Sequence, residues 1–176
     1  LLEVQSSVGT NLFSVNSYGT ELAANGGAET MGGTSTTFPG NAWIAQAGST
    51  VSRSTTTNEY QTGQAGVKVV PTGASQGVYN KLTSNPVAST TYTVSFSAAS
   101  TTAGQFTTPI EVIYTPDGGT TNITCQGFGQ QNGVVQTTSR SISNYTNYNW
   151  TKVTCTVTTT AASVTDPRLI IRQTDA

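Results

Sequence analysis

The sequence reads as an all-β protein, a two-sheet antiparallel sandwich or a barrel, for three reasons. Thr (35 residues), Ser (18) and Asn (12) carry the polarity of a 176-residue chain in which only 9% of residues are charged. Thr, Val and Tyr suit a pleated, half-buried surface. Apolar and polar residues alternate at period two, as in Tyr92, Val94, Phe96 and Ala98 against Thr91, Thr93, Ser95 and Ser97. No segment keeps a helical apolar stripe over three turns. Finally, 18 Gly and 6 Pro cut the chain into short runs, the punctuation of many strands joined by turns.

Taken in order, residues 1–20 stand apart. The units Leu1-Leu2-Glu3-Val4-Gln5-Ser6-Ser7-Val8-Gly9-Thr10 and Leu12-Phe13-Ser14-Val15-Asn16-Ser17-Tyr18-Gly19-Thr20 each run from a short apolar strand to a Gly-Thr turn. Two copies cannot bury a face alone, so further copies or identical neighbouring chains would complete them. A chance echo in a Thr-rich chain is the other reading. The chain opens at Leu1 rather than Met and is read as a piece of a longer protein. From Glu21 onward, strands are expected at 28–31, 42–45, 67–70, 77–82, 91–97, 106–115, 122–128, 150–158 and 168–173. In the sixth of these, Ile110, Val112 and Tyr114 alternate with Glu111.

Composition excludes several activities. Without His there is no Ser-His-Asp or Cys-His relay and no imidazole metal site. Seven scattered Lys and Arg residues make no footprint for duplex nucleic acid. No apolar run approaches the ~18 residues of a membrane span. The eight acidic residues show no paired pattern of the kind a glycosidase uses, and the reading is non-catalytic.

Cys125 and Cys155 both fall in alternating segments, sharing a face with Ile123 and with Val153 and Val157 respectively. Both sulfurs then point toward one apolar interior, the arrangement a disulfide between neighbouring strands needs. Two buried free thiols are the alternative. A disulfide together with low charge places the chain outside the cell, secreted or at a cell surface.

Residues 1–20 resemble the short repeats of trimeric bacterial and phage fibre stalks, which implies homo-oligomers formed through this segment. Residues 21–176 carry four landmarks in order: Asn25-Gly26-Gly27-Ala28-Glu29, Pro39-Gly40-Asn41-Ala42-Trp43, Thr91-Tyr92-Thr93-Val94-Ser95-Phe96 and Trp150-Thr151-Lys152-Val153-Thr154. This segment resembles the jelly-roll carbohydrate-binding modules found beside cellulases and xylanases. The resemblance implies a two-sheet jelly roll, a polysaccharide or surface-glycan partner, and a structural calcium held near Glu29 with carbonyls around Asn25. Such modules close with a further strand that is not found before Ala176, so it would lie beyond this residue or be supplied by a neighbouring chain.

Glycan sites stack aromatic rings on sugar faces while amides and charged groups bond the hydroxyls, and strand parity supplies a shortlist. Tyr79 and Lys81 face away from Val78 and Leu82, Gln126 and Phe128 away from Ile123 and Cys125, Glu111 away from Ile110 and Val112, and Arg172 away from Leu169 and Ile171. Trp43 is a further candidate, with a core plug as its other reading. Glu111 is open to sugar hydroxyls or to an ion pair with Lys81 or Arg172. Tyr145 and Tyr148 form an aromatic and amide loop suited to stacking or to plain packing. The expected function is non-catalytic glycan binding on an extracellular protein. The alternative is a structural fibre subunit completed by strand exchange, without a sugar ligand.

Overall fold

In a computed structural model, the described residues are 22, 37–38, 42–46, 48–57, 60, 64–99, 108–131, 133–142, 150–160 and 163–174. Thirteen strands follow one another among them: β1 Thr37–Phe38, β2 Trp43–Ala45, β3 Ser49–Ser54, β4 Gly66–Pro71, β5 Gly77–Lys81, β6 Thr91–Ala98, β7 Thr108–Thr115, β8 Ile123–Thr124, β9 Gly129–Gln131, β10 Val134–Gln136, β11 Arg140–Ile142, β12 Thr151–Thr158 and β13 Arg168–Gln173. No described residue is helical. The fold is an all-β sandwich built from antiparallel sheets.

The main sheet runs β1-β2-β5-β13-β7-β11, with β8 also paired to β7. Its central strands are the most apolar stretches of the sequence, for a physical reason. Leu169-Ile170-Ile171 in β13 and Val112-Ile113-Tyr114 in β7 are continuous apolar runs, the pattern of strands covered on both faces. Leu169, Ile170, Val112, Ile113 and Tyr114 are all buried. Leu169, Val112 and Tyr114 join the main core, whereas Ile113 and Ile170 lie outside it.

The β6–β12 ribbon packs on the inner side of this sheet. Its pairing runs unbroken from Thr151↔Ala98 to Thr158↔Thr91, and strict alternation buries Tyr92, Val94, Phe96, Val153, Cys155 and Val157 in the core. The hydroxyls fall on its other face, where Thr91 Oγ1 lies 2.8 Å from Thr158 Oγ1 and Ser95 Oγ 3.2 Å from Thr154 Oγ1. A β3–β4 ribbon adds Val51 to the core.

One crossing ties the layers. After β8 the chain leaves β7, and the Gln126 N–H donates to the Thr156 carbonyl at 2.7 Å while the Thr156 N–H donates back at 2.8 Å. The disulfide Cys125–Cys155 closes this crossing, with a Cα separation of 5.7 Å and both residues buried. The disulfide reading therefore holds over the free-thiol one. The expected strand 122–128 is shortened to Ile123–Thr124 by the same crossing, and β3 was not expected at all. The proposed strand 28–31, the repeat segment 1–20 and the loop holding Tyr145 and Tyr148 lie outside the described residues.

Candidate functional site

Strand register alone sorts the side chains of the main sheet. Trp43, Asn80, Leu169, Tyr114 and Ile123 form one transverse row on the core side. One residue along each strand, the side chains switch faces. The outer face then carries a row Ile44–Tyr79–Ile170–Ile113–Thr124, flanked by Lys81–Arg168–Thr115 on one side and Gly77–Arg172–Glu111 on the other. Ile113 and Ile170 make a closed apolar strip at 1% and 5% exposure. Tyr79, Lys81, Arg168, Arg172 and Glu111 remain partly or fully open around it.

The Arg172 guanidinium Nε lies 2.5 Å from Glu111 Oε1, directly across the strand pair, and both side chains are mostly covered. Of the two readings for Glu111, the ion pair is the one formed. The next strand carries glycine at the facing position. A Cβ on Gly77 would run into the Ile171 carbonyl oxygen and the Arg172 Cα, so no side chain fits there.

The opposite flank is a second polar cluster. The Arg168 guanidinium sits 4.5 Å over the Tyr79 ring centroid, a cation–π contact that holds the ring in place. Arg168 in turn donates through Nε at 2.9 Å, and through Nη2, to Asp166 Oδ2. Lys81 Nζ approaches the other carboxylate oxygen at 3.6 Å. The hydrogen bonds from Arg168 hold the Asp166 carboxyl below its ordinary range, with the Lys81 charge acting the same way.

Asp166 is itself positioned by the loop after β7. Gly118 N–H donates to the Asp166 carbonyl at 3.0 Å, and Asp166 N–H to the Pro116 carbonyl at 3.1 Å. Asp117 organises that loop. Its Oδ1 accepts from the N–H groups of Thr120 and Thr121 at 3.1 and 2.8 Å and from Thr115 Oγ1 at 2.9 Å, and its Oδ2 accepts from Thr121 Oγ1 at 2.6 Å. These bonds, led by Thr121, pull the Asp117 carboxyl down to about 2. Gly118 and Gly119 take the positive φ values, 76° and 113°, that the turn demands.

Of the residues expected at a glycan site, the structure brings Tyr79, Lys81, Glu111 and Arg172 onto one face. Two others require correction, and a third, Gln126, faces out as expected but on another strand pair. Phe128 does not face solvent: it is 3% exposed and part of the core. Parity counted from Cys125 fails because Gly127, between Cys125 and Phe128, adopts a φ of 75°, which turns the backbone and sends Phe128 inward. Trp43 is buried at 3% in the same core and is the plug rather than a stacking platform. Gln126 is exposed but lies against β12, away from this face, its amide donating to the Thr124 carbonyl at 3.3 Å.

Arg168, Asp166, Ile113 and Ile170 were absent from the sequence shortlist. Arg168 shares parity with Arg172 and was legible by the same rule. Asp166 belongs to the site only through the loop contacts, which no local pattern announces. Glu29 and Asn25, the expected calcium ligands, lie outside the described residues. Among the described residues no group of three or more His, Cys, Asp or Glu side chains could hold a metal, and no helix is long and apolar enough to cross a membrane.

No family model matches this chain, and no curated protein is similar to it. Solved structures are similar in fold. The CBM22-1 xylan-binding domain of Paenibacillus barcinonensis Xyn10C aligns at a TM-score of 0.51 with 16% identity, covering 77% of this chain and 78% of that one. The CBM22-1-CBM22-2 tandem of the same protein aligns at 0.52 with 16% identity, covering 77% of this chain and 37% of the tandem. A further xylan-binding domain from CBM 22 aligns at 0.50, again with 16% identity and 77% and 78% coverage. This chain shares its β-sandwich fold with those xylan-binding domains.

Proposed function

We propose that this domain is a non-catalytic module of an extracellular protein that binds a polysaccharide chain of the xylan type. The outer face of β5, β13 and β7 holds the sugar. The observation that carries this reading is the composition of that face: one fixed, partly open aromatic ring with charged hydrogen-bonding groups on both flanks. A sugar ring offers a CH face and equatorial hydroxyls, and such a surface complements both. Tyr79 supplies the stacking area at little entropic cost, since Arg168 already restrains it. Arg172 and Glu111, held against each other, present donors and acceptors in fixed positions. The shared fold with xylan-binding domains supports the choice of polysaccharide. The buried disulfide supports an oxidising compartment.

Affinity electrophoresis through gels containing xylan tests this. The wild-type chain is expected to be retarded, and Tyr79→Ala to lose about 30-fold in affinity, the effect of removing one aromatic anchor. Retardation by no polysaccharide, or retardation that Tyr79→Ala leaves intact, contradicts the assignment.

A further inference from the structure

The Tyr79 flank carries more positive charge than its own structure uses. Lys81 and Arg168 stand directly opposite one another in the β5–β13 register, on the same face. Like charges in that position destabilise a strand pair, and one carboxylate serves both. Asp166 gives Oδ2 to two donors of Arg168, while its Oδ1 meets Lys81 only at 3.6 Å. The Lys81 side chain stays 50% exposed.

The neighbouring carboxylates are engaged elsewhere. Asp117 is turned into the hydroxyl and amide groups of its own loop, and Glu111 is bonded to Arg172. Among the described residues this face therefore sets three cations, Lys81, Arg168 and Arg172, against the two carboxylates of Asp166 and Glu111. The cations are three of only seven in the chain.

We propose that Lys81, beside Arg168, is a specificity-determining residue that reads a carboxylate on the bound polysaccharide, so that the ligand is a uronic-acid-substituted glycan. This rests on the glycan reading above. Lys81 lies two residues from Tyr79 on the same face, about 7 Å along the strand. A sugar stacked on the ring thus brings a charged substituent of the same or the adjoining unit near the ammonium. A ligand carboxylate would further relieve the opposition of Lys81 and Arg168, since Asp166 bonds Arg168 closely and reaches Lys81 only at 3.6 Å.

The test compares glucuronoxylan with the same polymer after reduction of its carboxyl groups to alcohols, using calorimetry or affinity electrophoresis on the full chain. Wild type is expected to prefer the carboxylated polymer about fivefold at low salt, the size of one surface ion pair. That preference should fade at about 0.5 M NaCl, where the screening length falls to a few ångströms. Lys81→Gln should abolish the preference, so that the two polymers bind it equally. Lys152→Gln, an exposed cation on the β6–β12 ribbon, should keep the preference. Equal binding of the two polymers by wild type, or an equal loss in Lys152→Gln, overturns the proposal while leaving glycan binding in place. Failure to bind either polymer overturns both.

Discussion

Phe128 and Tyr79 show how differently two ring side chains are used in this protein. Phe128 is sealed into the core between two glycines of positive φ. Its truncation to Ala should cost about 3–5 kcal/mol in urea unfolding, whereas Phe128→Leu should lose less and still bind polysaccharide as wild type does. Loss of binding in a folded Phe128→Leu chain would mean that the ring serves the site after all. Asp117 makes a prediction of another kind. Its carboxyl is depressed to about 2 from an ordinary 3.8, so its contribution to stability is complete above the unfolded value and drains as pH falls through the folded one. Acid unfolding should therefore gain a component between about pH 4 and 2. Asp117→Asn should flatten that component and speed amide exchange at Thr120 and Thr121. An unchanged acid profile and unchanged exchange would remove Asp117 from the account of this loop.

The strands divide into those the sequence announces and those it does not. The continuous apolar run of β13 and the alternation of β6 and β12 are local signals of burial, and their bounds are legible to within a residue or two. β3 carries a single apolar side chain, Val51, in Ser49–Ser54; its order comes from pairing with β4, which no period-two pattern records. The crossing after β8 was illegible for a related reason. Alternation assumes one continuous strand, while the chain passes from β7 at Cys125 to β12 at Gln126, and a change of partner leaves no mark on polarity. The site follows this division in part: Tyr79, Lys81, Glu111 and Arg172 came from parity within regular strands, and Asp166, Gln126 and Phe128 lie at turns and crossings, whereas Arg168, Ile113, Ile170 and Trp43 sit in regular strands. The disulfide fastens that crossing across a separation of 30 residues. Its removal by the paired change Cys125→Ala, Cys155→Ala should lower stability by about 3–4 kcal/mol on the chain-entropy account, measured by urea unfolding. A loss below about 1 kcal/mol would show that backbone pairing at Gln126 suffices.

The molecule as a whole presents two unlike faces. The side of the β6–β12 ribbon away from the core carries Thr and Ser hydroxyls bonded partly to one another. The outer side of the main sheet instead gathers an aromatic ring, a closed apolar strip and three ion pairs. A protein with so few charges places three of seven cations there, on its central strands rather than scattered over its loops. Rigid strands hold these groups, so binding should occur with little rearrangement of the backbone. The most direct measurement is an NMR titration of the isotope-labelled chain with a xylan oligosaccharide. Shift changes should concentrate at Tyr79, Lys81, Arg168 and Arg172, with the β6–β12 hydroxyl ladder silent. Changes centred on Thr93, Thr154 and Thr156, or none at millimolar oligosaccharide, would contradict the assignment.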